Sequence, residues 1–154
     1  VPNELDDLAA RISDLASSAG RTVAVAESLT GGMVSAALAA SSGAGEWYRG
    51  GLVAYSSQVK HDVLDVPDGP VVDPDAARVM AERVRELLGA DIAVALTGAG
   101  GPDPQDGQDP GTVFLAVADG AHTEVVRRVL TGEPVEVCSA AGREALRFLV
   151  DRMG

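Results

Sequence analysis

The chain predicts a three-layer α/β/α sandwich around a mixed β-sheet, built as one domain over residues 1–154. Three observations carry this expectation. Through the first two thirds, stretches with apolar residues at helical spacing alternate with short β-branched runs, the pattern of helices covering a sheet. Nearer the end, two strand-like runs meet at Asp119-Gly120, a hairpin signal that adds antiparallel strands. A length of 154 residues suits one core and leaves little room for two.

The elements follow in order. Leu5, Leu8, Ile12 and Leu15 share one face over residues 3–19, with Asn3 as cap and Gly20 as stop. A first strand is expected over 22–26, then an Ala-rich helix over 31–40 that ends near Ser41-Ser-Gly-Ala-Gly45. Residues 48–55 read as a second strand interrupted by Gly50-Gly51, and 57–64 as a short helix. Asp73-Pro74 is a strong helix start, since Asp caps and Pro fits the first helical position; Gly89 stops that helix after Leu88. Asp91 to Leu96 is a strand too apolar for an exposed edge, and 97–111 is a long Gly-, Pro- and Asp-rich loop. Strands over 112–118 and 122–130 precede a last helix over 135–151, with Val137, Ala141, Ala145, Leu146 and Leu149 facing inward.

Composition narrows the class. Aromatic residues make up 3% of the chain, so the core must be built from Ala, Val and Leu. No apolar stretch approaches the roughly 18–20 residues of a membrane span, and no signal peptide is visible. The first residue is Val rather than Met, which reads as a trimmed or processed terminus. The single cysteine, Cys138, excludes an intramolecular disulfide and a Cys-based zinc cluster. His61 and His122 lack companions at metal-ligand spacing, so no metal site is expected. A net charge of −11 argues against nucleic-acid binding, which needs a basic face. A small anion could still be held by a few N–H groups and one or two cations. A cytoplasmic protein is the simplest account.

Chemistry concentrates in three segments, each following a predicted strand. Ligands in such folds collect at the carboxyl ends of the strands, so the three are expected to converge. The first is Thr22-Val-Ala-Val-Ala-Glu-Ser-Leu-Thr-Gly-Gly32, read as strand, tight turn and helix. Such a junction can present a hydroxyl and aim free N–H groups at a ligand. Ser28 is the candidate nucleophile; Ser28 or Thr30 could equally cap the following helix. Gly31 and Gly32 allow close backbone approach, and their N–H groups could help form an oxyanion hole. Glu27 could orient Lys60 or an arginine, or be a solvated turn carboxylate.

The second segment, Tyr55-Ser-Ser-Gln-Val-Lys60, offers a base. A free lysine has a pKa of about 10.4, but burial can bring it to roughly 7–8. Most lysines face solvent; Lys60, however, is the only lysine in the chain, every other basic residue being Arg. An arginine cannot usefully give up its proton. Tyr55 could relay a proton, bind substrate, or be a surface aromatic at a strand end. The third segment, Thr97 to Gly101, including Gly98 and Gly100, has the character of a ligand cradle. It lacks the Gly-Lys-Ser/Thr ending of a phosphate-binding P-loop and the dinucleotide fingerprint.

Taken together, Ala26-Glu-Ser-Leu-Thr-Gly-Gly32, Trp47-Tyr-Arg-Gly-Gly-Leu-Val-Ala-Tyr-Ser56 with Lys60, Leu96-Thr-Gly-Ala-Gly-Gly-Pro-Asp103 and Gly111-Thr-Val113 resemble the CinA family of competence-damage proteins. The likeness is to its C-terminal domain, which also occurs alone as nicotinamide-nucleotide amidase. The resemblance implies an α/β/α domain that hydrolyses the carboxamide of nicotinamide mononucleotide to nicotinate mononucleotide and ammonia, a step of the pyridine nucleotide cycle. The family's serine, tyrosine and lysine fall on Ser28, Tyr55 and Lys60. Glu27, Thr30, Gly31, Gly32, Arg49, Thr97, Gly98 and Gly100 are the expected substrate-binding residues. No cofactor is implied, and a homo-oligomer is expected. The alternative is a non-catalytic or retargeted member that binds a nucleotide-like ligand or a partner protein. A third reading makes all three polar residues caps and surface groups.

The chain departs from the family pattern in places that bear on the anion. Leu29 stands where the family usually has Cys. The loop after Pro102 reads Asp-Pro-Gln-Asp-Gly-Gln-Asp-Pro-Gly-Thr-Val, without the lysine of the family's Lys-Pro-Val-Gly-Thr-Val. A family serine is missing near Val72-Asp73, and Gly132-Glu-Pro134 replaces a Gly-Asp-Arg. These changes touch phosphate recognition rather than the nucleophile.

Overall fold

The structure, a computed structural model, describes residues 3–154; the reading of Val1 as a processed terminus lies outside them. Its elements are α1 (Glu4–Ala19), β1 (Val23–Glu27), α2 (Met33–Ala39), α3 (Ala44–Trp47), β2 (Tyr48–Val53), α4 (Ser57–Leu64), α5 (Pro74–Leu88), β3 (Ile92–Gly98), β4 (Thr112–Ala118), β5 (Thr123–Val129) and α6 (Pro134–Met153). The five strands form one sheet in the order β2-β1-β3-β4-β5. β1 runs parallel to β2 and β3, while β4 and β5 continue antiparallel. The sheet is therefore mixed, and the Asp119-Gly120 turn joins its two antiparallel strands.

Alternation along the strands sorts the core by size. Val23 and Val25, Val94 and Leu96, and Val113, Leu115 and Val117 pack toward α1, α2 and α6. Their neighbours Ala24, Ala26, Ala93, Ala95, Ala116 and Ala118 face the other way, onto Ala76, Ala77, Met80, Ala81 and Val84 of α5. One face is thus branched and bulky, and the other is nearly all alanine. The period-2 pleat that sends successive side chains to opposite faces explains how a chain this poor in aromatics fills three layers. Small residues on both partners let α5 lie close to the sheet, where Ala pays no side-chain entropy.

Helix ends follow their sequence signals. Asn3 Oδ1 accepts from the Asp6 N–H, and Asp73 Oδ2 accepts from Asp75 and Ala76 with Pro74 at the first helical position. Gly20 and Gly89 close α1 and α5 in the left-handed conformation. Two local features go beyond the sequence expectation. α3 is a single turn between the expected end of the Ala-rich helix and the second strand, where no element was expected. The Gly50-Gly51 interruption is a register shift rather than a break: Val23 pairs with Tyr48 and Ala24 with Gly50, which leaves Arg49 as an extra residue. Among the described residues, no helix is long and apolar enough to cross a membrane.

Candidate active site

Because β1, β2 and β3 are parallel, their carboxyl ends share one edge of the sheet, and the three marked segments meet there. They line a cleft of about 340 Å³ bounded by Ser28, Leu29, Tyr55, Lys60, Thr97, Gly98, Gly100 and Gly101. The loop after Gly101 adds Asp103, Pro104 and Gln105, and the first turns of α6 add Pro134 and Cys138. β1 lies between β2 and β3, with α2 and α3 on one face and α4 and α5 on the other. This is the crevice where an open α/β sheet binds ligands.

Ser28 sits on the turn immediately after β1, 5% exposed. The turn is shaped by Gly31 and Gly32, both at positive φ (61° and 109°), where a side chain would be strained. What holds the turn is Glu27. Its carboxylate is fully buried. Oε1 accepts from Thr30 Oγ1 at 2.6 Å, the Gly32 N–H at 3.2 Å and the Val34 N–H at 3.0 Å. Oε2 accepts from the Ser35 N–H at 2.8 Å. Gly32 is the α2 cap residue and has no side chain to offer, so Glu27 reaches across the turn and satisfies the helix's leading N–H groups.

This placement corrects the sequence expectation at four positions. Glu27 was expected to meet substrate, to orient Lys60 or an arginine, or to be a solvated turn carboxylate, and Thr30 to meet substrate or to cap the helix; instead Glu27 is buried and holds the start of α2, and Thr30 donates its hydroxyl to Glu27. The Gly31 N–H donates to the Ser28 carbonyl at 3.0 Å, and the Gly32 N–H is held by Glu27. Neither is free for an oxyanion. The Gly100 and Gly101 N–H groups, which border the cleft, make no hydrogen bond among the described residues.

Lys60 occupies the first turns of α4, whose cap is Ser56 with its Oγ accepting from the Val59 N–H. The lysine is 2% exposed, and its Nζ donates to the Tyr55 carbonyl at 3.2 Å. Burial lowers its pKa from 10.5 to about 8, with the Asp106 carboxylate pulling the other way. Among the described residues no hydrogen bond joins Lys60 to Ser28. The Tyr55 side chain is 71% exposed at the mouth of the cleft; its carbonyl, not its hydroxyl, contacts the lysine. Thr97 lies at the end of β3 with its Oγ1 donating to the Val71 carbonyl at 2.8 Å, which ties the cleft wall to the segment before α5.

Arg49 lies elsewhere. It sits near the amino end of β2, away from the strand's carboxyl end, and its Nε donates to the Leu88 carbonyl at 2.9 Å. An arginine at the last carbonyls of α5 is a favourable helix end. Of the two roles open to it, serving an anion or supporting the fold, this bond is the second, and Arg49 is not among the residues that border the cleft.

Two contributors went unread in the sequence. Asp106-Gly107 forms a tight turn with both φ values positive (52° and 77°), closed by reciprocal bonds between Gln105 and Gln108. The turn aims Asp106 Oδ2 at the Val71 and Val72 N–H groups, at 2.9 and 3.0 Å, which pins the long loop beside Lys60. The Asp-Gly pair is the same signal that was read at 119–120. Cys138 on α6 donates its thiol to the Leu29 carbonyl at 3.2 Å, and burial raises its pKa.

Known proteins share this architecture. The family described as the CinA C-terminal domain matches residues 5–153. A competence-damage inducible protein of Geobacillus kaustophilus is 42% identical over 142 residues, covering 88% of this chain and 32% of that protein. One from Streptococcus gordonii is 42% identical over 124 residues, covering 77% and 30%. The chain thus spans about a third of the length of these curated relatives. Among solved structures, the competence damage-inducible protein A of Klebsiella pneumoniae superposes with a TM-score of 0.93 at 32% identity, covering 98% of each chain. A competence or damage-inducible protein of Enterobacter asburiae gives 0.93 at 29%, covering 99% of this chain and 100% of that one. With its fold and nearly its whole length matched, the chain belongs to the CinA family, matching the model of its C-terminal domain.

Proposed function

We propose that the cleft hydrolyses a carboxamide, that of nicotinamide mononucleotide, with Ser28 as nucleophile and Lys60 as base. The observation that carries this reading is a nearly buried lysine, held near pKa 8, in the same cleft as a serine on a strand-end turn. A lysine so poised is neutral in a useful fraction of molecules near neutral pH, which is what a general base requires.

In the reaction, Lys60 leaves the Tyr55 carbonyl and takes the Ser28 hydroxyl proton as Oγ attacks the amide carbon. The Gly100 and Gly101 N–H groups are the available donors for the oxyanion. Collapse breaks the C–N bond, and Lys60 returns its proton to the departing nitrogen, which leaves as ammonia. Water then attacks the acyl-serine, giving its proton by way of Lys60 back to Ser28 and releasing the carboxylate. Tyr55 at the mouth offers a face against which the pyridine ring can stack.

The test is ammonia release from nicotinamide mononucleotide by the wild type, Ser28→Ala and Lys60→Ala. Release by the wild type and its loss in both variants supports the proposal, while equal background rates in all three overturn it. A second reading rests on one observation, that Ser28 and Lys60 are not bonded to each other. It makes the cleft a binding site for a nucleotide-like ligand or a partner protein. Ligand binding with no ammonia release would favour it.

A further inference from the structure

We propose that this chain pairs with a second copy of itself through β5, edge to edge and antiparallel, about a two-fold axis at Val126. The inference stands apart from the carboxamide reading above and rests on the outer strand of the sheet. β5 ends the strand order, with no strand beyond it among the described residues. Its run Thr-Glu-Val-Val-Arg-Arg-Val holds no glycine or proline and pairs with β4 without a register shift. β2, at the opposite edge, is bulged at Arg49 and carries Gly50 at a φ of 134°. A long regular edge is a template for another strand, and a bulged one is a poor template.

The ladder fixes which groups face outward. Leu130 donates its N–H to the Gly111 carbonyl, and Asp119 donates to the His122 carbonyl. Backbone groups alternate sides along an antiparallel strand, so Glu124, Val126 and Arg128 turn theirs toward β4. Thr123, Val125, Arg127 and Val129 turn theirs outward. Outside the ladder, no hydrogen bond among the described residues uses the N–H groups of these four. The Arg127 carbonyl accepts from the Arg128 guanidinium at 3.1 Å, an exposed bond that pairing would replace. Side chains alternate as well. Val126 packs against the branched core, and Glu124 and Arg128 share its face. There Glu124 Oε2 lies 3.1 Å from Arg152 and Arg128 Nε 4.0 Å from Glu144, both on α6. Glu124 and Arg128 remain exposed.

Matching outward-turned residues allows a two-fold at Val125, Val126 or Arg127. Centred on Val126, the whole strand pairs. Thr123 then lies opposite Val129, Val125 opposite Arg127, and Glu124 opposite Arg128 of the second copy, each twice. Opposite charges directly across two strands attract, and like charges repel. Centred on Arg127, that arginine faces itself. Centred on Val125, Glu124 faces Val126 and both Glu–Arg pairs are lost. Charges on an edge strand commonly keep other strands away. Here they are of both signs and complement themselves, in a chain whose net charge of −11 otherwise sets copies apart.

Sedimentation velocity over a concentration series reads the assembly of the wild type, Glu124→Arg, Arg128→Glu and an equimolar mixture of the two variants. The wild type is expected to run as a dimer that dissociates on dilution. Either substitution alone sets like charges opposite each other at both ends of the interface and weakens self-association roughly tenfold. Mixing the two variants restores it, because opposite charges then meet at both ends. Both positions are exposed, and circular dichroism checks that each variant keeps the fold. A wild type that is monomeric throughout, a dimer that either variant keeps at wild-type strength, or a mixture that associates no better than the variants alone overturns the proposal.

Discussion

Replacing Lys60 with methionine is expected to stabilise the protein at pH 6.5 while abolishing turnover. A pKa held at about 8 instead of 10.5 means that burial disfavours the ammonium. At about 1.4 kcal/mol per unit, the charged form costs the folded state on the order of 3 kcal/mol. Methionine follows the lysine stem without the charge, and it gives up the bond to the Tyr55 carbonyl, worth about 1 kcal/mol. The net gain is about 2 kcal/mol, or roughly 4–8 °C in Tm for a domain of this size. The pH dependence fixes the cause. Unfolded Lys60 titrates near 10.4, above its folded value, so between the two the unfolded state binds more protons and wild-type stability rises with pH. Below about pH 8 both states carry the charge and the folded state bears the full cost. The advantage of Lys60→Met is therefore greatest below pH 8, shrinks as pH rises toward 10, and ends as a deficit of about 1 kcal/mol once the ammonium is gone. Urea unfolding of both proteins at pH 6.5, 8 and 9.5 measures it. A variant less stable than wild type at pH 6.5, or an advantage that does not fall with pH, refutes the idea that this lysine is buried against its charge.

Other substitutions probe the same frame. Because Lys60 is the chain's sole lysine, labelling with ¹³C-lysine gives one side-chain signal, expected to titrate near pH 8 and to match the rising limb of the ammonia-release rate. Asp106→Asn keeps an oxygen for the Val71 and Val72 N–H groups and removes the charge that raises the Lys60 pKa, so both the signal and the limb should move to lower pH. Glu27→Ala strands the donors of Thr30, Gly32, Val34 and Ser35 and should cost about 3 kcal/mol in urea unfolding. Gly51→Ala would bring its Cβ within 2.4 Å of Ser35 Oγ and 2.7 Å of Val25 Cγ1, and a Tm lowered by the equivalent of about 1–3 kcal/mol is expected.

How much of this was legible depends on how local each cause is. The bounds of α5 were readable because Asp73, Pro74 and Gly89 act on their own helix. The meeting of Ser28, Lys60 and Thr97 was readable because parallel strands put their carboxyl ends on one edge, whatever their sequence separation. The partners of Glu27 extend to Ser35, on a helix whose cap glycine gave no sign of needing help. Arg49 could be read as an anion contact or as a support of the fold, and its bond to Leu88, 39 residues on, is visible only once β2 and α5 are packed. The target of Asp106 lies 34 residues earlier, and nothing in the Asp-Gly pair names it. Cys138 reaches the cleft only because α6 packs over β3 and β4.

The turn at Glu27 also changes how the strand–glycine–helix segment should be read. Such a junction commonly holds an anion, because the first N–H groups of the helix have no partners of their own. Here the chain supplies its own anion. Glu27 places a carboxylate where a phosphate oxygen could otherwise sit, and it takes three backbone N–H groups and a hydroxyl out of reach. The helix end is neutralised from within, and its role is to fix the position of Ser28 rather than to attract charge. Any attraction for a ligand must then come from Lys60, the Gly100 and Gly101 N–H groups and the loop that follows them. In that loop every charged residue up to Gly111 is an aspartate. The same segment that looks most like an anion cradle thus leaves the cleft dependent on a single lysine for positive charge, and that lysine gives up its proton near pH 8.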